Sequence, residues 1–205
     1  IYHGGKNLGR LTTQLYGKHN ILNVLGAVAA TIVQGVSLDQ IIAGAATFKG
    51  AYRRFNIVSA PKAKVTVVDD YAHHSTEVAT NIEAAKLHFP GRRIVAVFRP
   101  HTYTRIAALL PEYQTALSQA NIAYVTDIEG ARETGKQPTV SGQDIVDKIT
   151  APAIYEADRT RLIDQIVKDA RADDVILCMT VSGYEDITAE LAAKTAAITN
   201  EKPPL

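Results

Sequence analysis

Cysteine, tryptophan and net charge are all scarce in this chain of 205 residues. It has no tryptophan and one cysteine, Cys178. It can therefore form neither an intrachain disulfide nor a multi-thiolate metal site, and a reducing compartment, the cytoplasm, is expected. Its 22 basic and 21 acidic side chains leave a net charge of +1. That charge is too small to attract nucleic acid or an anionic membrane, so neither is expected as a partner.

Long apolar runs and targeting signals are missing as well. The longest strongly apolar stretch, residues 21–33, is interrupted by Asn23 and is shorter than the roughly 20 residues that a membrane-spanning helix needs. The chain begins with Ile1 rather than Met, and no signal-peptide pattern follows. We therefore expect it to be part of a longer protein.

What is present, 46% hydrophobic and 21% charged residues, is typical of a globular protein. In the first quarter of the chain, residues 8–15 are predicted as a strand between two glycines. Apolar spacing then predicts one helix from Asn20, as its N-cap, to Gly35 and a second from Ser37, also as N-cap, to about residue 48.

From residue 55 onward, predicted strands and helices alternate. The strands are expected at residues 64–68, 92–98, 122–127 and 175–179, and the helices near residues 78–89, 103–120, 141–149 and 159–171. Pro111 should break the second of these helices. The alternation predicts an α/β fold: a Rossmann-like, mainly parallel sheet with helices on both faces, preceded by a short α/β piece. The tail, residues 200–205, is expected to fray.

Acidic, phenolic and imidazole side chains follow the first predicted strand of this block. They are Asp69, Asp70, Tyr71, His73 and His74, and ligands of parallel sheets bind beyond the carboxyl ends of the strands. Asp70 could hold a ribose hydroxyl or a cation-bound water, and either histidine could donate to a phosphate or carboxylate. Two alternatives stay open: a zinc site, or a turn in which Asp, Ser and Thr side chains cap the strand and helix while the histidines are solvated.

A cationic and aromatic cluster follows the next predicted strand, with Arg99, His101, Tyr103 and Arg105. Arg105 can hold a carboxylate through two parallel hydrogen bonds, and His101 can hydrogen-bond a carbonyl or phosphate oxygen. The alternative is that both arginines pair with surface acids such as Glu112.

The first predicted helix and the junction near residue 50 carry weaker signals. Asn20 and Asn23 could recognise an adenine edge, although Asn20 is equally explained as an N-cap. Residues 50–55 are expected to form a hinge, across which an arginine could reach a phosphate on closure. The alternative is that Arg53 and Arg54 are a solvated surface pair.

Four segments, in this order, resemble signatures of the Mur ligases of peptidoglycan synthesis. They are Gly17-Lys-His-Asn20 with Asn23, Phe48-Lys-Gly-Ala-Tyr-Arg-Arg-Phe55, Asp69-Asp-Tyr-Ala-His-His-Ser-Thr-Glu77 and Phe98-Arg-Pro-His-Thr-Tyr-Thr-Arg105. The resemblance is to the end of the family's central ATP-binding domain (residues 1–53) and to its carboxyl-terminal domain (residues 54–205). The family's uridine-nucleotide-binding domain and phosphate-binding loop have no counterpart here. The resemblance therefore implies a partial ligase, with the N-terminal part of the same enzyme as its partner.

The resemblance also implies a reaction. It is closest to the family members in which ATP phosphorylates UDP-N-acetylmuramate and the amine of L-alanine attacks the acyl phosphate, while Mg²⁺ neutralises the phosphates. The resemblance to the family's motifs implies that the ATP-binding residues are His19, Asn20, Asn23, Arg54 and Asp70. Those around the amino acid and the reacting carboxyl are Tyr71, His73, His101 and Arg105. His73, His101 and Arg54 are the expected catalytic residues, and no residue is assigned as a metal ligand.

Two other functions stay open. One is a related ligase that attaches a recycled peptide to UDP-N-acetylmuramate, although the segment from Pro100 to Arg105 favours the alanine enzyme. The other is a non-catalytic module that binds a nucleotide or peptide. The isolated chain is expected to be inactive in either ligase interpretation, because half of the positioning groups lie outside it.

Overall fold

The computed structural model describes residues 1–133 and 138–198. The chain divides into two compact units, Ile1–Tyr52 and one that begins at Arg53. None of the helices in the described residues combines the length and apolar character that crossing a membrane requires. The expected fraying of residues 200–205 lies outside the described residues.

The first unit consists of a hairpin followed by two helices. Its elements are β1 (Tyr2–His3), β2 (Lys6–Asn7), α1 (Lys18–Val33) and α2 (Leu38–Thr47). Both predicted helices are confirmed, and Ser37 caps α2 in a reciprocal capping box with Gln40. The predicted N-cap of α1 is wrong. Gly17 occupies that position, and the Asn20 amide instead donates to the Tyr16 carbonyl at 2.7 Å.

The strand predicted at residues 8–15 does not form. This segment has no strand pairing and no regular structure. Local bonds compete with pairing there: the Gly9 N–H donates to the Asn7 side-chain oxygen at 3.0 Å, and the Leu15 N–H donates to the Thr13 hydroxyl at 3.2 Å. Side-chain partners of this kind offer the backbone an alternative to a ladder.

The second unit is built on a sheet that has six strands within the described residues. They are β3 (Asn56–Ile57), β4 (Thr66–Asp70), β5 (Ile94–Phe98), β6 (Ile122–Val125), β7 (Ala153–Tyr155) and β8 (Val175–Met179). Their order is β3-β4-β8-β5-β6-β7. β3 is antiparallel to β4, and the other neighbours are parallel. The predicted α/β class and mainly parallel sheet are confirmed.

Helices cover both faces of this sheet. They are α3 (Ser75–His88), α4 (Tyr103–Ala108), α5 (Leu110–Leu117), α6 (Gly142–Val146), α7 (Arg159–Asp169) and α8 (Ile187–Thr195). Apolar side chains of α7 and α8 pack against Val67, Val97 and Cys178 on one face. On the other face, Tyr113 of α5 stacks on Phe98 of β5 at 5.5 Å between ring centroids. Pro111 breaks the helix predicted at residues 103–120 and lies in the first turn of α5.

The strand order sets the position of the candidate site. β8 lies between β4 and β5, so Asp70, Met179 and Phe98, the last residues of three neighbouring strands, are aligned in register. Asp69 and Asp70 therefore belong to β4, whereas the sequence placed them after the strand. The loops that leave this edge carry the side chains described next.

Candidate active site

Arg53 ties two strand ends together from inside the protein. Its side chain donates to the Asp69 carboxylate at 3.1 and 3.2 Å and to the carbonyl and hydroxyl oxygens of Thr180 at 2.8 and 3.0 Å. Burial raises the pKa of Asp69, although the Arg53 charge opposes that shift. Arg53 is only 6% exposed, so the interpretation of Arg53 and Arg54 as a solvated pair is wrong for Arg53.

Asp70 is buried and anchors the backbone on both sides of β4. One carboxylate oxygen accepts from the Phe55 N–H and the other from the Ala72 N–H, each at 2.7 Å. Desolvation raises the pKa of Asp70 to about 6, against the opposing effect of these N–H groups. The carboxylate thus fixes the backbone that leads from β4 to Tyr71 and His73. The contact of Asp70 with ATP stays a prediction.

Tyr71, His73 and His101 form a row of rings across the ends of β4 and β5. The Tyr71 and His73 centroids lie 5.5 Å apart and those of His73 and His101 lie 5.7 Å apart, both edge to face. Arg53 supports the first ring, since its guanidinium lies 5.2 Å from the Tyr71 centroid and its carbonyl accepts from the Tyr71 N–H at 2.9 Å. The structure therefore brings together residues from two loops, since Tyr71 and His73 follow β4 and His101 follows β5.

Glu77 fixes the turn that carries His73. Its carboxylate accepts from the N–H groups of His73 and His74 at 3.0 and 3.1 Å and lies 3.5 Å from the Arg54 guanidinium. Burial pushes the pKa of Glu77 upward, but those two N–H groups and the nearby cations outweigh it and lower the pKa. Sequence reasoning had not singled out Glu77, although a glutamate in the first turn of a helix is a capping signal.

His74 is the N-cap of α3. Its Nδ1 accepts from the Thr76 N–H at 3.3 Å, so the alternative in which a Ser or Thr side chain, Ser75 or Thr76, caps this helix is wrong. A histidine cap lies outside the usual preference for Ser, Thr, Asp and Asn, which is why the sequence missed it. The zinc alternative has no support in the described residues, where no three His, Cys, Asp or Glu side chains come together as metal ligands.

His101 lies where the loop after β5 meets the loop after β6. It forms a parallel bridge with Glu129, and its Nδ1 lies 2.7 Å from the Thr102 hydroxyl. The next residue is locked in place, because the Thr102 N–H donates to the Glu129 carbonyl at 2.7 Å. Burial lowers the pKa of His101, and the charges of His73 and Arg105 lower it further.

The two arginines of the second cluster have different surroundings. Arg99 pairs with Glu129 at 2.5 Å and lies 4.3 Å from the Tyr184 ring centroid. The alternative that Arg99 pairs with an acidic side chain therefore holds, with Glu129 as the acid in place of Glu112. Arg105 is half-buried on α4, and its Nη1 is buried without a hydrogen-bond partner within the described residues. A buried guanidinium nitrogen without a partner is costly, which suits a position that a ligand acceptor completes.

The residues predicted to bind adenine lie in the first unit, on the first two turns of α1. The Asn23 amide donates to the Asn20 side-chain oxygen at 3.2 Å, and Asn23 is exposed. His19 precedes them in the same helix and is half-buried. The structure thus places His19, Asn20 and Asn23 together, and their role in ATP binding stays a prediction.

Comparison with known proteins decides the family. The family model described as Mur ligase, glutamate ligase domain, matches residues 53–180. The chain belongs to the Mur ligase family. The matched range begins at Arg53 and includes β3 to β8 and the loops that carry Tyr71, His73, His101 and Arg105.

Two curated relatives of this Mur ligase chain carry the same name. The UDP-N-acetylmuramate–L-alanine ligase of Pediococcus pentosaceus is 39% identical over 189 residues, which cover 92% of this chain and 41% of the relative. The ligase of the same name from Sorangium cellulosum is 36% identical, over 99% of this chain and 44% of the relative. The chain therefore spans less than half the length of these relatives.

Solved structures show the same fold at lower identity. The UDP-N-acetylmuramate-alanine ligase MurC of Thermotoga maritima matches 93% of this chain and 40% of its own, with a TM-score of 0.71 and 23% identity. A murein peptide ligase of Psychrobacter arcticus matches 95% of this chain and 41% of its own, with a TM-score of 0.69 and 23% identity. The MurF ligase of Thermotoga maritima, solved with ADP, matches 88% of this chain and 39% of its own, with a TM-score of 0.64 and 19% identity.

Proposed function

We propose that this Mur ligase chain is the carboxyl-terminal part of an ATP-dependent ligase that joins L-alanine to UDP-N-acetylmuramate in the cytoplasm. The relatives that share 36–39% identity and the name of that enzyme support the choice of substrate. The observation that carries the proposal is the row of Tyr71, His73 and His101 beside the unpartnered Arg105 nitrogen. This arrangement offers two imidazoles and a cation to one small polar ligand.

These side chains suit an amino acid and an activated carboxyl group. A guanidinium can hold a carboxylate, so Arg105 is assigned to the carboxylate of L-alanine. His73 and His101 contact the amine and the acyl oxygen, and Tyr71 closes the side of the row that Arg53 supports. A positively charged His101 is disfavoured, because burial and the nearby positive charges lower its pKa. His101 then acts as a neutral hydrogen-bonding group.

ATP supplies the phosphoryl group that activates the muramoyl carboxylate. In this proposal Asn23, with His19 and Asn20 beside it, binds the adenine, Arg54 reaches the terminal phosphate, and Asp70 holds the ribose. The exposed amide of Asn23 fits an adenine edge. Arg54 fits a phosphate, since about half of its side chain is exposed (47%) and its ion pair with Glu77 is long, at 3.5 Å. Asp70 fits less directly, because both of its oxygens already accept from backbone N–H groups.

The proposal also includes Mg²⁺ and the uridine nucleotide. No three carboxylate, histidine or cysteine side chains in the described residues lie close enough together to hold a metal. In this proposal the ion lies on the nucleotide phosphates, because Mg²⁺ usually binds substrate phosphates with only one or two protein carboxylates. The N-terminal part of the same enzyme binds the uridine nucleotide. No step assigned to this chain's residues depends on the ion.

The test is ligation by the full product of the gene that encodes this chain. It would be given ATP, UDP-N-acetylmuramate and a panel of amino acids and short peptides, with phosphate release as the readout. The proposal expects release with L-alanine above all others, and none from the isolated 205-residue chain. Preference for a peptide would support the recycling ligase instead, and release by the isolated chain would show that the chain needs no partner.

A further inference from the structure

Two neighbouring histidines of the candidate site have different partners at Nδ1. His73 Nδ1 lies 2.9 Å from the Tyr71 carbonyl oxygen and 3.6 Å from the Glu77 carboxylate. Both of these groups only accept hydrogen bonds, so Nδ1 of a neutral His73 must carry the proton. The lone pair is then on Nε2, and His73 presents an acceptor to any ligand.

His101 has the opposite arrangement. Its Nδ1 lies 2.7 Å from the Thr102 hydroxyl, and no other hydrogen bond of that hydroxyl occurs within the described residues. A hydroxyl proton needs an acceptor, and the imidazole lone pair on Nδ1 is the one within reach. The proton of a neutral His101 is then on Nε2, so His101 presents a donor.

The backbone at Thr102 keeps its hydroxyl in this place. Thr102 has φ +74°, which is rare for a β-branched residue and is maintained only when the surroundings enforce it. The enforcing contacts are the Thr102 N–H bond to the Glu129 carbonyl at 2.7 Å and the Glu129 N–H bond to the Pro100 carbonyl at 2.8 Å. Backbone strain of this kind is common at functional sites.

We propose that His73 and His101 present opposite Nε2 groups to one ligand, an acceptor and a donor respectively, and that Thr102 is the positioning residue that makes His101 the donor. The ring centroids are 5.7 Å apart, so a single small molecule can contact both. The charged groups around His101 are Arg105, Arg99 and Glu129. His73 faces Glu77.

The chemical consequence rests on the proposed function. The amine lone pair of the amino acid forms the new C–N bond while the π electrons of the acyl C=O move to its oxygen. That oxygen accepts the hydrogen bond from His101 Nε2–H, and the surplus proton of the nitrogen passes to His73 Nε2. Return of the electron pair to the C=O bond breaks the bond to the phosphate oxygen, and phosphate leaves.

The tautomers can be measured on the chain itself, without substrates. Long-range ¹H–¹⁵N correlation spectra distinguish protonated from unprotonated ring nitrogens, and single His→Gln variants assign the signals. We expect an unprotonated Nε2 in His73 and an unprotonated Nδ1 in His101 near neutral pH. His74 is the internal reference, because its Nδ1 accepts from the Thr76 N–H.

Substitutions at Thr102 separate positioning from folding. Thr102→Val keeps the β-branched shape and removes the hydroxyl, so the His101 nitrogen shifts should move toward an average of the two tautomers while those of His73 stay unchanged. Thr102→Ser should restore them. Thr102→Gly relieves the positive φ and should shift His101 as Thr102→Val does, even though it favours the folded backbone. Thr104→Val is the matched control, because the Thr104 hydroxyl donates to Glu133 and not to a histidine.

A protonated Nδ1 in wild-type His101, or unchanged His101 shifts in both Thr102→Val and Thr102→Gly, would overturn the inference. That outcome would leave the proposed function standing, because ligation is tested separately with substrates. Conversely, failure of the amino-acid panel with the expected tautomers would remove the function and keep the assignment of donor and acceptor.

Discussion

At the scale of single residues, Arg105 offers the sharpest kinetic test of the amino-acid subsite. In the full gene product, Arg105→Ala should raise the KM for the amino acid about ten- to a hundred-fold, because a charged hydrogen-bond partner is worth about 1.5–3 kcal/mol. The KM for ATP should change much less. Arg161→Ala is the control, since that side chain is 72% exposed on α7. Steady-state kinetics in which ATP is the weakened substrate would contradict this placement.

The raised pKa of Asp70 predicts that the stability of the protein depends on pH. Desolvation raises its pKa in the folded state from 3.8 to about 6, so the folded chain binds more protons than the unfolded chain between these values. The stability that Asp70 contributes is full below pH 3.8 and is lost as the pH rises through 6. The loss is about 3 kcal/mol at most.

Asp70→Asn isolates this contribution, because asparagine does not titrate. In urea unfolding, the free energy of unfolding of the wild type minus that of Asp70→Asn should fall from pH 4 to pH 7. Glu77→Gln is a control of opposite sign, since the lowered pKa of Glu77 contributes stability that is lost as the pH falls. If the free energies of unfolding of the wild type and Asp70→Asn changed in parallel with pH, burial would not destabilise the Asp70 carboxylate.

The site could be predicted from sequence in its residue types and only partly in its contacts. Tyr71, His73, His101 and Arg105 stood out because each follows an apolar strand-like run. Arg53, by contrast, has its partners 16 and 127 positions away, at Asp69 and Thr180. Contacts at such separation depend on the strand order, which periodicity does not determine. The role of His74 as an N-cap could not be predicted for a different reason, because histidine is an uncommon residue at that position.

At the scale of secondary-structure elements, α6 depends on a glycine at its first position. A Cβ built on Gly142 would overlap the Thr126 carbonyl oxygen and lie 2.5 Å from Tyr155 Cε2. Gly142→Ala should therefore destabilise the protein by about 1–3 kcal/mol, as overpacking usually does.

Gly44→Ala in α2 is the matched control for that substitution. Nothing lies within 4 Å of a Cβ built there, so it should stabilise by about 0.5–1 kcal/mol through helix propensity. Thermal unfolding should show a lower Tm for Gly142→Ala and a higher Tm for Gly44→Ala. An equal change in Tm for the two variants would show that α6 can move away from β7.

Long elements were predictable and short ones were not. β4, β5 and β8 are continuous runs of buried, mostly β-branched or apolar residues, which is the pattern of parallel strands covered on both faces. β3 and β7 have two and three residues, too few for any periodicity to appear. The strand expected at residues 8–15 failed for the converse reason: its composition suits a strand, but local side-chain bonds take up its backbone groups.

At the scale of the whole molecule, the first compact unit ends at Tyr52 and the second begins at Arg53. Lys49 is exposed on one side of this point, whereas Arg53 is 6% exposed on the other. Arg53 and Phe55 both have positive φ and are held by Asp69, Thr180 and Asp70. The second unit therefore begins with a fixed segment.

Limited trypsin digestion tests whether that unit is independent. Trypsin should cut first after Lys49 and leave a stable piece that begins at Gly50. It should spare the bond after Arg53, because a buried, doubly anchored side chain cannot enter a protease without local unfolding. Asp69→Ala removes the partner of Arg53 and leaves its charge buried and unpaired, which typically costs about 3–5 kcal/mol. The bond after Arg53 should then be cut as well, as mass spectrometry of the fragments would show. First cuts inside α4 or α7 of the wild type would mean that residues from Arg53 onward do not hold together without the rest of the protein.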